Sequence, residues 1–303
     1  MQHSLSSKDV TWFNVQSPTP EELANFIREI DLEPSDAEFV AQAYHRPGIT
    51  TRSKYIMLLV QIPVFDRKLR LTQGVPLFFI VKQGYIYTLH YDPIVSLDKI
   101  RTDFENSAER LEEYLSGDTL SVCLDLLMML YDGAFAKLER LSKHIDIAED
   151  AVFQGNERKM VEEISLLTRD VMDFRKAIRP QRNLFLSSPS HYLVASDTIT
   201  KWGRVHGQLL KMWDVLESMF ESVRELSNTN FTLLQHKENE LLRMLTVYSI
   251  IVIPMLILVD PLFSPRAADA GLIDQIVFWV VLGVLVTTLL LILYRFKGRR
   301  SRL

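Results

Sequence analysis

The sequence predicts an α/β domain, then long coiled-coil-like helices, then two C-terminal transmembrane helices. Three observations carry that reading. Up to about residue 116, short runs rich in Ile, Val, Tyr and Phe are separated by Gly and Pro. From 117 to 243, apolar residues recur at heptad spacing. From 244 to 294, two stretches of 16 and 20 residues carry no charge at all.

Length and composition set the bounds. With 303 residues the chain has room for about two domains at roughly 150 residues each. A net charge of −4 and a pI near 6.0 argue against a nucleic-acid partner, which calls for a basic balance. The single cysteine, Cys123, excludes an intramolecular disulfide framework and a multi-cysteine zinc cluster. On an apolar helix start, it reads as a small core residue.

Within the first domain, 1–116, the predicted strands are Val10–Val15, Tyr55–Phe65, Val75–Val81 and Tyr85–Tyr91. Gln83-Gly84 reads as a hairpin turn. Ser17-Pro18-Thr19-Pro20-Glu21-Glu22 reads as a helix start, with proline and acids in the first turn. Pro93 closes the sheet region, and short helices are expected after it.

The stalk, 117–243, has no proline between Pro93 and Pro180 and none between Pro189 and Pro254. Asp118 is a candidate N-cap. Beyond it, Leu127, Tyr131, Ala134, Leu138, Leu141, Ile145, Ala148 and Val152 recur in strict 4-3 spacing, a heptad seam. Gly155-Asn156 breaks the pattern, and Ile164, Leu167, Val171, Phe174 and Ile178 resume it on an antiparallel neighbour. After Ser187–Ser190 a third seam is expected at Leu209, Trp213, Leu216, Phe220 and Val223. If helical from Ser190 to Val259, these 70 residues span about 105 Å. Such a helix cannot bury itself in one small domain and packs most economically against copies of itself.

The transmembrane domain, 244–294, comprises spans 244–259 and 275–294 joined by a loop, 260–274. About 20 residues cross a hydrocarbon core, and the first run can lengthen inward through Leu241 and Leu242. Trp279 and Tyr294 lie near opposite ends of the second, as interfacial anchors do. The tail, 295–303, carries five positive charges, whereas the loop holds Asp260, Asp269 and Asp274 against Arg266. The positive-inside rule therefore places both termini in the cytoplasm. With no apolar signal near Met1, the large N-terminal part is expected to stay in the cytoplasm, and the chain to be a multi-pass protein of the inner (plasma) membrane. Two spans cannot enclose a pore, but a symmetric ring of chains can.

Five segments resemble the CorA family of two-span divalent cation channels. Trp12-Phe13-Asn14-Val15 with Pro18–Leu23 is similar to that family's opening segment, and Ala148–Phe153 to its Leu-Glu-Asp-x-Val-Phe helix end. Arg175–Arg182 resembles its kinked Arg-rich helix, Asn239–Thr246 its entry to the pore helix, and Ile253-Pro254 its proline step. The resemblance covers nearly the whole chain. It implies a homopentameric funnel in the lipid bilayer, with the first span lining a pore for divalent cations. One departure stands out. The family's Gly-Met-Asn, due near Phe263-Ser264-Pro265, is absent, as in a branch of the CmaX type.

On that architecture, Asn239, Leu242, Thr246, Ser249, Ile253 and Leu256 share one helical face as candidate pore lining. Polar oxygens there suit a cation that keeps its water shell, and the apolar rings suit gating by dewetting. Alternatively, Thr246 and Ser249 merely bond their own helix backbone. Asp260, Asp269 and Asp274 are candidates for an acidic outer mouth that concentrates cations; a solvated, helix-capping loop is the other reading. His236 with Glu240, and the acids Asp146, Glu149, Asp150, Glu162 and Glu163, offer metal-binding or merely solvated faces. Asn228 is expected to interrupt the third seam where it faces a wet axis. The sequence has no phosphate loop, His-Glu-x-x-His or nucleophile elbow. Neither enzyme activity nor a cofactor is expected, only a divalent cation as transported or regulatory ion. Two functions remain open: passive transport of magnesium, zinc, cobalt or nickel, or a non-conducting membrane regulator or scaffold.

Overall fold

A computed structural model describes residues 2–42, 46–66, 71–186 and 196–263, with 276, 279, 280, 283 and 287. The chain divides into two compact units, Met1–Asn230 and Phe231–Leu303, and the division falls within one helix.

The first unit is built on six strands: β1 (Gln2–Ser6), β2 (Thr11–Gln16), β3 (Gly48–Thr51), β4 (Ile56–Asp66), β5 (Leu71–Lys82) and β6 (Tyr85–His90). Their order is β1-β2-β6-β5-β4-β3, antiparallel except for β2 with β6. Gln83-Gly84 makes the expected turn, with Gly84 at φ 77°, where a side chain is strained. Both sheet faces are covered, so β4 reads as a continuous buried run from Ile56 to Val60. One face carries α1 (Pro20–Ile30) and α2 (Pro34–Ala41) over Val15, Met57, Leu59, Phe78, Ile80 and Leu89. α1 opens on a capping box in which Thr19 and Glu22 satisfy each other's backbone N–H groups.

α3 (Val95–Asn106), α5 (Thr119–Phe153) and α6 (Glu157–Ile178) cover the other face, and the short α4 (Ala108–Tyr114) joins α3 to α5. Asp118 caps α5 by accepting from Ser121 N at 3.2 Å. All eight predicted seam residues of α5 and all five of α6 are buried. Gly155, at φ 92°, turns the chain between the two helices. At Pro180 the last turn of α6 tightens to a 3₁₀ helix, Arg179–Gln181. There the buried Gln181 accepts from the Tyr131 hydroxyl at 3.0 Å and donates to the Gln61 and Ala177 carbonyls at 2.7 and 2.8 Å. Gly74 of β5 permits this packing. A Cβ there would lie 3.0 Å from both the Ala177 Cβ and the Gln61 Oε1.

The last helix, α7 (Ser196–Phe263), supplies a third seam that differs from the expected one. Its buried residues are Thr198, Trp202, Val205, Leu209, Met212, Leu216, Met219, Val223, Leu226 and Asn230, again in 3-4 spacing. Trp213 and Phe220, expected in the seam, lie one position beyond Met212 and Met219 and are only half-buried. The reason is a cation. The Arg175 guanidinium sits 4.2 Å from the Phe220 ring and 5.3 Å from the Trp213 ring, and donates to both Glu217 oxygens at 2.8 and 3.1 Å. Toward the end of the seam the buried polar residue is Asn230, with its Oδ1 buried and unpaired, whereas Asn228 is exposed. Cys123 is buried as expected, and burial pushes its thiol pKa up.

Among the described residues, one helix is long and apolar enough by length and composition to cross a membrane, α5. With 56% of its apolar window buried inside the fold, α5 is a core helix of the first unit. The predicted span 244–259 lies on α7, and of the span 275–294 only five residues are described.

Candidate functional site

The second unit begins at Phe231, on the distal part of α7. From Gln208 to Ile253 no Gly or Pro interrupts this helix, so its backbone ladder can run unbroken there. Leu241, Leu242, Met244, Leu245, Tyr248, Ile250 and Ile253 are all exposed in the single chain, between 43% and 64%. At about 100° per residue they point around the full circumference of the helix. A helix apolar on every side belongs in a membrane or in the centre of an assembly.

Along this helix Asn239, Leu242, Thr246, Ser249 and Ile253 fall on one stripe, at steps of three and four. Asn239, Leu242, Thr246 and Ile253 are exposed, and Ser249 is half-exposed. Leu256 and Asp260 continue the same register within α7, while Asp269 and Asp274 lie outside the described residues.

The two hydroxyls have a defined polarity. Thr246 Oγ1 donates to the Leu242 carbonyl at 2.8 Å, and Ser249 Oγ donates to the Leu245 carbonyl at 2.9 Å. The backbone-bonding alternative for these side chains is thus what the single chain displays. It does not compete with a lining role. A hydroxyl has one hydrogen and two lone pairs, so once the hydrogen is spent on the backbone, the oxygen is left to accept. Waters held by a cation point their oxygens inward and their hydrogens outward. A stripe of acceptors is therefore matched to the outside of a hydrated cation, and mismatched to a hydrated anion.

The other candidates do not gather into a site in this chain. His236 and Glu240 are both exposed on α7. Asp146, Glu149, Asp150 and Glu162 are exposed on α5 and α6, with Glu163 half-exposed. Among the described residues no group of three or more His, Cys, Asp or Glu is placed to hold a metal ion. What spacing alone could not supply was the direction of the two hydroxyl protons. That follows from the helix, where Ser and Thr regularly reach the carbonyl four residues back.

Comparison with known proteins gives one consistent result. The family model described as "CorA-like Mg2+ transporter protein" matches residues 7–298. The cobalt/magnesium transport protein CorA of Thermotoga maritima is 22% identical over 264 residues, 82% of this chain and 71% of that protein. The corresponding protein of Methanocaldococcus jannaschii is 20% identical over 299 residues, 97% of this chain and 92% of that one. Among solved structures, the complete M. jannaschii CorA magnesium transporter superposes with a TM-score of 0.75, at 17% identity, over 97% of this chain and 92% of that chain. Full-length CmaX superposes with the same TM-score, at 16% identity, over 96% and 90%. These likenesses establish a shared fold, with its α/β domain and long helices.

Proposed function

The chain belongs to the CorA-like Mg2+ transporter family, a family of transporters and not of enzymes, and on that premise we propose that it passes divalent cations through a homopentameric pore lined by its first span. The assembly sits in the inner membrane, with spans 244–259 and 275–294, a basic tail 295–303 and both termini in the cytoplasm. Residues 1–116 and 117–243 form the α/β domain and the stalk of a funnel.

The observation that carries this reading is the stripe on α7. It sets acceptor oxygens at Thr246 and Ser249, and the amide of Asn239, among apolar side chains at Leu242 and Ile253. Five-fold repetition turns each position into a ring. Magnesium dehydrates reluctantly, so rings of neutral acceptors that touch its water shell suit it better than a tight cage. Rings of Leu242, Ile253 and Leu256 form dry constrictions that water, and hence a hydrated ion, enters only when they widen. Asp260, Asp269 and Asp274 place negative charge in the loop segment and raise the local cation concentration at its mouth. Down-gradient flux needs no cofactor.

The absence of Gly-Met-Asn raises the rival reading of a non-conducting regulator. The curated relatives are named as transport proteins, which favours conduction. Purified protein in liposomes, challenged with magnesium, cobalt, nickel and zinc, is expected to pass at least one of them. An intact oligomer that passes none overturns the proposal. Ile253→Gly is expected to raise the leak; unchanged flux removes Ile253 from the gate.

A further inference from the structure

A groove lies where the far ends of β4 and β5 meet α5 and α6, well away from the α7 stripe in sequence and wholly within the first unit. Its cavity, about 430 Å³, has apolar walls from Phe65, Leu141 and Phe174. An adjoining cavity of about 420 Å³ extends it along the two helices past Ile147 and Met160. The ionisable side chains lining the first cavity are Lys137, Arg140, His144 and Asp170, and Glu163 lines the adjoining one.

Asp170 is already engaged, for it accepts from Thr72 N at 2.6 Å. Lys137 spends one of its three N–H groups on the Pro63 carbonyl at 2.5 Å. Burial, and then the Arg140 charge one turn away, hold its pKa below the ordinary lysine value. The carboxylate of this cavity, Asp170, is turned to Thr72 N, so two cations stand against one acid. Among the described residues neither Lys137 nor Arg140 takes part in an ion pair. A part-buried cation beside a second cation and outside any ion pair is costly, and with two cations to one carboxylate this cavity favours an anion.

The walls narrow the choice further. An inorganic anion leaves the faces of Phe65 and Phe174 uncovered, whereas a neutral apolar molecule leaves Lys137 uncompensated. A cavity of this size, mostly apolar and with a few convergent polar groups, is of the kind that takes small organic ligands. We propose that the groove binds a small organic anion with a flat apolar body, an aryl phosphate or aryl carboxylate, its charged group set between Lys137 and Arg140 and its ring against Phe65, Leu141 and Phe174.

Pyridoxal 5′-phosphate is a direct probe, being an aromatic phosphate with an aldehyde. A neutral Lys137 amine condenses with that aldehyde to an imine and releases water; borohydride then reduces the C=N bond to a stable secondary amine. The full-length oligomer in lipid nanodiscs is treated at sub-saturating probe, and its peptides are mapped by mass spectrometry. Lys137 is expected to label about tenfold faster than the exposed Lys143 and Lys159. Phenyl phosphate, which has no aldehyde, should slow Lys137 alone. Arg140→Glu, at an exposed position, should remove the preference and leave Lys143 labelling unchanged. Lys137 labelling no faster than Lys143 overturns the proposal, as does insensitivity to phenyl phosphate. Protection of Lys137 in the intact oligomer also overturns it, since a second copy would then fill the groove.

Discussion

Two side chains, one buried and one half-buried, show how individual residues set the behaviour of the first unit. His90 is fully buried at the end of β6, where its Nδ1 lies 2.7 Å from the Asp92 carbonyl. Burial holds its pKa below the ordinary histidine value, against the partial opposition of the Asp92 carbonyl and the nearby Asp98 and Asp92 charges. The folded chain therefore takes up this proton less readily than the unfolded chain. Its contribution to stability is complete above about pH 6.5, the unfolded value, and is lost as pH falls toward the depressed folded value. Thermal unfolding measured from pH 7.5 to 5.5 should show a larger loss for the native chain than for His90→Gln. Equal losses would assign the acid sensitivity elsewhere.

Arg175 works by geometry rather than by charge alone. It stacks on Phe220 and Trp213 and holds Glu217 with both carboxylate oxygens. Glu217 is 41% exposed, so the ion pair itself contributes modestly, below about 1 kcal/mol. The ring contacts add about 0.5–2 kcal/mol. Arg175→Lys keeps the charge but loses the planar fork, and should recover less than half of the stability that Arg175→Ala removes. Full recovery, read by chemical denaturation, would show that charge is what matters. This residue also explains why the third seam departs from the one its spacing predicts. Trp213 and Phe220 are bulkier than Met212 and Met219, and hydropathy alone assigns them to the core. A cation from another helix, invisible in the local pattern, takes them instead.

Among the elements, what was legible in the sequence is what repeats. The α5 and α6 seams follow from spacing, because a heptad pattern leaves one face to bury. The Asp118 cap, the Gly155 break and the Gly84 turn follow from local chemistry. β1 and β3 were not legible. Each is five residues or fewer at a sheet edge, and what makes it a strand is its neighbour. α2 was equally hidden, as eight residues give too little periodicity to read. Packing costs should follow the same division. Leu138→Ala, in the α5 seam, should lose about 2–5 kcal/mol, whereas Ile147→Ala on the same helix, 64% exposed, should lose under about 1 kcal/mol. Gly74→Val should cost about 1–3 kcal/mol by forcing β5 away from Ala177. A neutral Gly74→Val would show that α6 can shift freely.

At the scale of the whole molecule, the net charge of −4 conceals a partition. Residues 1–243 sum to −7, 244–294 to −2 and the tail to +5. The basic end is the feature that the positive-inside rule reads, and the acidic loop is the feature that attracts cations. Assembly belongs to the proposed function, because α7 beyond Leu241 exposes apolar side chains in the single chain. A pentamer has a protein mass of about 176 kDa, from five chains of 35.1 kDa. Light scattering in detergent should return that value, and a monomer of 35.1 kDa would contradict a pore of any kind.

The candidate lining was legible as a stripe, and its acceptor polarity came from the backbone bonds of Thr246 and Ser249. What neither sequence nor fold reads out is transport itself, since conduction depends on rings that only the assembly makes. The measurement that bears on it most directly is divalent cation flux into liposomes holding the purified oligomer, run across magnesium, cobalt, nickel and zinc. Flux of at least one of these, raised in Ile253→Gly, is the predicted result. A stable pentamer that passes none of them, with or without that substitution, would contradict it.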